Sequence, residues 1–327
     1  MRVVHRRLKL MLIFAAYLMD LLVGDPAWLP HPVKGMGALI GFLDQRWRGE
    51  SGKALERIKG AAMAVLVVAI SGTAAYGLLV AGYNLDVYLG NIVWVVLGFI
   101  ALSAKDLFDH ARAVRSGLQG HDLAAARQKL SLMVGRDTAA LSEEAVVKAC
   151  LESVAESACD GIIAPLFYLF LGGPVLALMY KAASTLDSMV GHKDKKYLHF
   201  GWFSARLDDA LNFIPAKICG GLLAVASLIH TPGSLASLRM MLRDGRKHPS
   251  PNSGIPEAAM AGALGVSLGG ERSYQGERAQ YPYIGDQVNS VIPEMIDTAI
   301  ALSLAASVFM VAGGSLVAFF LSRGSSI

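Results

Sequence analysis

Long apolar runs separated by short polar islands organise this chain. Uncharged stretches cover residues 61–82 (AAMAVLVVAISGTAAYGLLVAG), 87–104 (VYLGNIVWVVLGFIALSA) and 298–322. Each is long enough, or nearly so, for the ~30 Å hydrocarbon layer of a bilayer, and all three are predicted to span it as helices. Residues 161–180 match them in length, but Pro165, Gly172, Gly173 and Pro174 interrupt the run. Irregular backbone is tolerated at membrane depth only where protein or a wet cavity shields it, so a broken or re-entrant helix is expected there. The runs at 8–24, 218–230 and 258–270 are shorter or carry Asp20, and read as half-helices, spans or buried core segments.

Composition agrees with the pattern. Hydrophobic residues make up 54% of the chain and charged residues only 17%, outside the usual soluble range. The expected fold class is all-α: a polytopic integral membrane helical protein with broken or re-entrant helices and helical cytoplasmic segments, forming one membrane-embedded domain over 1–327. The basic start MRVVHRRLK followed by an apolar run resembles a secretory signal, but Asp20 and the lack of a small-residue cleavage site argue against removal. The tiny 83–86 loop carries only Asp86, whereas the 24–60 flank carries Arg46, Arg48, Lys53, Arg57 and Lys59. The positive-inside rule therefore puts the loop outside and the flanks inside. The connections 181–217 and 231–297 are also rich in Lys and Arg, which requires an even number of crossings between 105 and 297, with 161–180 and 218–230 either paired or both non-spanning. Cys150, Cys159 and Cys219 lack metal-site or disulfide spacing and are expected as small buried side chains.

The candidate chemistry lies in the islands. In CLESVAESACDGIIAPLFYLF, Glu152, Glu156 and Asp160 fall at i, i+4 and i+8, on one helix face within about 12 Å of rise. Such a stripe is either well solvated or set against a cation. Its position just ahead of an apolar entry leaves a solvated face little room, and desolvated carboxylates need a counter-cation or a raised pKa. An earlier island, DLLVGDPAWLPHPVKGMG, holds Asp20, Asp25, His31 and Lys34 in a proline-stiffened loop. The segment from Lys181 to Lys217 interleaves Asp187, His192, Lys193, Asp194, Arg206, Asp208, Asp209 and Asn212. There, Asp208 and Asn212, one turn apart, could offer two oxygens to a hard cation, and the bases could hold phosphates. Finally, Arg243, Arg246, Lys247 and His248 lead into PSPNSGIPE, where a helix start and open backbone N–H groups suit an anion. Each island also reads as a solvated connection, and spacing alone leaves that open.

Taken together, DPAWLPHPVKGMG, ESVAESACDGIIAPLFY, YKAASTLDSMVGHK, ARLDDALNFIPA and HPSPNSGIPEAAMAGALGVSLGG resemble the adenosylcobinamide-phosphate synthase family, the membrane-bound CbiB/CobD group of cobalamin biosynthesis. The resemblance runs in order from about residue 18 to about residue 290. It implies a ligase that joins adenosylcobyric acid to (R)-1-aminopropan-2-ol O-phosphate, or to free aminopropanol, through an ATP- and Mg²⁺-dependent amide bond made by way of an acyl phosphate. On that reading Glu152, Glu156, Asp160, Asp187, Asp208, Asp209 and His31 are catalytic candidates, with Glu156, Asp160, Asp187 and Asp208 on the metal. Lys181, Lys193, Arg206, Asn212, Lys217, Arg246, Lys247, Ser250, Asn252 and Ser253 are candidates for holding cofactor, and His31, His192 or a carboxylate for the base. The corrinoid, the aminopropanol phosphate and the lipid bilayer are the expected partners, with no nucleic acid. Small-xxx-small patterns such as GGLLAVAS would also suit a homo-oligomer. The expected location is the cytoplasmic membrane, with the site facing the cytoplasm.

Three other classes fit the residues less well. A polyprenyl transferase would need a DxxxD arrangement that the paired aspartates of DDALN do not give. A transporter would carry functional charges within its spans, but the three clearest runs are charge-free. An AmpE-like signalling protein of the same fold would not need the acidic and SPNSG motifs present here.

Overall fold

The computed structural model describes residues 2–25, 32–49, 52–192, 194–230 and 234–324, with backbone alone at 2–6 and 321–324. The chain forms two compact units: Met1–Ser103, Pro165–Asn212 and Gly313–Ile327 make the first, and Ala104–Ala164 and Phe213–Ala312 the second.

The first unit is built from α1 (Arg2–Val23), α2 (Pro32–Trp47), α3 (Lys53–Leu85), α4 (Val87–Ala101), most of α8 (Ala164–Val190) and α9 (Trp202–Asn212). The end of α13 (Met295–Gly324) completes it. Asp86 alone separates α3 from α4. It is the last cap of one helix, its N–H bonded to the Gly82 carbonyl, and the first cap of the next, its carboxylate accepting from the N–H groups of Tyr88 (2.7 Å) and Leu89 (3.1 Å). Close crossings use small residues: a side chain on Gly98 would press on Ala16 and Leu169, and one on Gly72 on Met179. The expected break in the 161–180 run falls at Gly173, whose φ of 71° is open to glycine, with Pro174 after it.

The second unit contains α5 (Ala104–Gln119), α6 (Leu123–Leu130), α7 (Glu143–Ala158) and a π-helical turn at Cys159–Ile163. It also holds α10 (Pro215–His230), α11 (Ala236–Asp244), α12 (Gly254–Leu264) and α13 up to Ala312. Helix α12 sits against α7, α10 and α11, and only apolar or small residues line its length apart from Glu257. A hairpin of β1 (Leu268–Tyr274) and β2 (Glu277–Ile284) was not foreseen from the sequence. Its turn residues Gln275 and Gly276 both have positive φ, as tight two-residue hairpins require. Asp137 fastens that turn, accepting from the Ser273 hydroxyl (2.6 Å) and from the N–H groups of Gln275 (3.2 Å) and Gly276 (2.8 Å).

Among the described residues, four helical stretches are long and apolar enough to cross a membrane: Lys53–Leu85, Val87–Gln119, Glu143–Val190 and Glu294–Phe320. The bent pair Trp202–Asn212 and Pro215–His230 makes a fifth if it is one broken span. Counting it gives the even number of crossings between 105 and 297 that the loop charges ask for. The protein is an all-α polytopic membrane protein carrying one small hairpin among the described residues. The 258–270 run is not a single element. Helix α12 ends at Gly265 in the left-handed conformation, and the strand begins at Leu268. All three cysteines are buried and unbridged.

Candidate functional site

The second unit gathers a set of charged side chains that are buried rather than solvated. Helix α7 starts at Ser142, whose hydroxyl accepts from the Ala145 N–H at 3.2 Å, with Glu143 and Glu144 in the favourable first turn. Glu152 is 2% exposed. Its Oε1 accepts the Gly269 N–H at 2.7 Å and lies 3.1 Å from Nη2 of Arg272, while its Oε2 is bonded to the Arg136 guanidinium. Gly269 makes this approach with φ at 90°, in a place where the Pro282 carbonyl leaves no room for a side chain. One turn on, Glu156 is exposed and accepts from the Ser253 hydroxyl at 2.8 Å. Asp160 falls inside the π turn, so the stripe expected to run straight through three carboxylates is rewound at its last member.

The Ser250–Ser253 turn faces α7 through that Ser253 bond. The backbone N–H groups of Asn252 and Ser253, expected to be open for an anion, donate instead to the Ser250 hydroxyl at 3.3 Å each. Ser250's own N–H donates to Nδ1 of His248 at 3.0 Å. A neutral His248 ring therefore carries its proton on Nε2. Gly254 lets α12 start against this segment, since a Cβ would stand 2.6 Å from both the Gly245 carbonyl and the His248 Cβ.

Beneath the turn lies Glu257, 1% exposed, with its Oε1 3.8 Å from Nε2 of His248 and its Oε2 4.0 Å from Nη2 of Arg272. Glu257 Oε2, His248 Nε2 and Arg272 Nε make no hydrogen bond, and Arg272 Nη2 has only its ion pairs with Glu152 and Glu257. Burial pushes the Glu257 carboxyl well above the usual range, and the nearby charges of Glu152 and Glu156 push it further. Burial also holds His248 below its ordinary value. For Arg272 burial works against the charge, but the Glu152 and Glu257 carboxylates outweigh it and raise the pKa. Its guanidinium lies 4.1 Å from the Tyr281 ring centre. Burial and the Tyr274 hydroxyl push the Tyr281 phenol up to about 12. Buried polar atoms without bonds cost free energy, so a concentration of donors and acceptors of both signs suits a polar or zwitterionic ligand.

Further candidates in this unit have structural partners. Lys247 reaches Asp244 at 2.7 Å, and Asp244 is also held by Arg243 and by the Gly285 N–H. Arg246 is exposed, and Lys217 lies over the Phe213 ring.

The other candidates belong to the first unit. The Asn212 amide donates to Asp208 Oδ2 at 3.0 Å and its carbonyl accepts from the Tyr180 hydroxyl at 2.9 Å. Tyr180 stacks on Tyr168, ring centres 4.9 Å apart. Arg206 pairs with Asp209 at 3.2 Å, Lys181 Nζ lies 3.4 Å from the Ser103 hydroxyl, and Asp187 sits half-buried near the end of α8. His31 and Lys193 lie outside the described residues. Among the described residues no three His, Cys, Asp or Glu side chains converge as a ready-made metal cage.

Sequence reading missed Arg136, Glu257 and Arg272, and had His248 only as one of the cations leading into the PSPNSG turn. For Glu257 a signal was present, because it is the one charged residue in GIPEAAMAGAL.

The family model described as CobD/Cbib protein matches residues 13–303. The chain is 47% identical over 274 residues to the cobalamin biosynthesis protein CobD of Geobacter metallireducens, covering 84% of this chain and 86% of that one. It is 44% identical to CobD of Listeria monocytogenes serovar 1/2a, covering 90% and 93%, and 43% identical to the cobalamin biosynthesis protein CbiB of Salmonella arizonae, covering 91% and 93%. No solved structure matches. With a match over nearly its whole length and all five polar signatures inside it or overlapping it, the chain belongs to the CobD/CbiB family of cobalamin biosynthesis proteins.

Proposed function

We propose that this protein is the ligase that forms the amide between adenosylcobyric acid and (R)-1-aminopropan-2-ol O-phosphate, or free aminopropanol, at the expense of ATP. The observation that carries the reading is the group of buried, unbonded polar atoms on Glu257, His248 and Arg272 in a chain of this family.

A carboxylate does not condense with an amine in water unless its oxygen first becomes a leaving group. Attack of the carboxylate on the ATP γ-phosphorus, with ADP leaving, gives an acyl phosphate. The amine nitrogen then displaces phosphate. The chain's part is to bind, orient and move protons. Arg272, with an unbonded Nε–H, suits phosphoryl or carboxyl oxygens, and exposed Arg246 would suit a phosphate. Since the described residues form no protein-only metal cage, Mg²⁺ would arrive on the nucleotide phosphates with at most a carboxylate or two from the chain. The proposed setting is the cytoplasmic membrane, the site on its inner face.

Reconstitution tests the reading. Detergent-purified protein is given adenosylcobyric acid, Mg·ATP and aminopropanol phosphate, and the corrinoid mass and nucleotide products are read together. A mass gain of one phosphoaminopropyl amide, matched by nucleotide hydrolysis, is expected. No gain with either amine from folded protein would remove the ligase assignment.

A further inference from the structure

Resting on the ligase reading, we propose that Glu257 is the proton acceptor for the attacking amine, and that His248 positions it. Three observations converge on this residue. Glu257 is 1% exposed, and its Oε2 has no hydrogen-bond partner. His248 Nδ1 is occupied by the Ser250 N–H, so the neutral ring can only present an Nε2–H, and that atom lies 3.8 Å from Glu257 Oε1. His248 therefore cannot itself take a proton at Nε2. It can donate a hydrogen bond to the Glu257 carboxylate when that carboxylate is charged.

The groups facing Glu257 are Glu152 and Glu156 from α7, Arg136 from the segment before it, Arg272 from β1, and His248. This setting matches the chemistry. A primary alkylammonium is not a nucleophile until it loses a proton, and an ordinary carboxylate is too weak a base by several pH units to take it. Desolvation beside two further carboxylates narrows that difference, and the proton is accepted by the charged form of Glu257, which Arg272 and Arg136 favour. The proton balance closes. One proton of the ammonium passes to Glu257, the nitrogen lone pair attacks the acyl carbon, and the C–N bond forms as the C–O bond to phosphate breaks. Phosphate departs with the electron pair and the second proton, and Glu257 returns its own to solvent.

The test separates the two half-reactions by their nucleophile. Hydroxylamine is neutral at pH 7 and traps an acyl phosphate as the hydroxamate without a base. Wild-type protein should make both hydroxamate and amide. Glu257→Gln should keep hydroxamate formation within about threefold and lose amide kcat by about 10²-fold or more, the range of a missing general base. That deficit should shrink with rising pH, by up to about tenfold per unit below the ammonium pKa, ~10 by analogy with lysine. If Glu257→Gln does not fold, Glu257→Asp carries the same split, since one methylene less withdraws the carboxylate from the amine. A variant that makes amide at the wild-type rate, or a folded one that loses both products alike, overturns the assignment. Wild-type protein that yields neither product overturns the ligase reading itself, which is a different outcome from either.

Discussion

Glu152 on α7 accepts the Gly269 N–H at 2.7 Å across 117 residues of sequence, and the same carboxylate is flanked by Arg136 and Arg272. One buried anion thereby holds the start of the hairpin against the helix. Burying an ion costs desolvation, and the cost is offset only while its partners are present.

Removing the charge should therefore be severe. Glu152→Gln leaves two guanidiniums facing no anion on that side and should destabilise the folded protein by about 3–5 kcal/mol, the usual result of breaking a buried pair. Denaturant titration in detergent micelles measures it, and a loss under about 1 kcal/mol would show that water reaches the cluster.

Gly269→Ala tests the same contact from the other strand. The φ of 90° and the Pro282 carbonyl both exclude a Cβ, so the strand must shift away from Glu152. Strain of this kind costs about 1–3 kcal/mol, before the lost hydrogen bond is counted. An unchanged unfolding midpoint would mean that the strand relaxes freely.

Asp244 should govern behaviour in acid. Its side chain is fully buried, and the Arg243 guanidinium, with Lys247 and the Gly285 N–H, holds its carboxyl well below the usual range. A carboxylate with a lowered pKa contributes stability that is present above its unfolded value, ~3.9, and is lost as pH falls through the folded one. Asp244→Asn should be less stable than wild type at pH 7, with the difference closing as pH drops below about 4. A difference that does not change with pH would assign the effect to packing.

Glu257 has the opposite sign. Because its folded pKa is raised, the folded state keeps a proton that the unfolded chain has released above ~4.3. Wild-type stability should therefore fall, relative to Glu257→Gln, as pH climbs from about 4.3 toward the folded pKa. Parallel curves for the two proteins would show that Glu257 is ionised throughout.

Much of this was open to reading from the chain. The spans announce themselves because a bilayer demands uncharged runs, and the break at Gly173 is visible because glycine and proline stand where a helix should continue. The spacing of Glu152 and Glu156 on one helix face is likewise local geometry. Their partners were not readable. Arg136 and Arg272 are ordinary residues of polar segments, and only tertiary closure brings them to Glu152. The hairpin escaped notice because its strands are polar and tyrosine-rich, lacking a clean apolar alternation, although Gln275-Gly276 was available as a turn signal. Asp208 and Asn212 show the reverse case. Their spacing suits a cation, yet the Asn212 amide donates to Asp208, and the pair closes a polar link to Tyr180.

The single residue between α3 and α4 bears on how the chain enters the bilayer. With Asp86 closing one helix and opening the next, there is no slack by which the first span could settle before the second follows. The pair is therefore a helical hairpin to be threaded as one piece. Its reversal is a one-residue acidic tip, and lengthening that tip would uncouple the two helices.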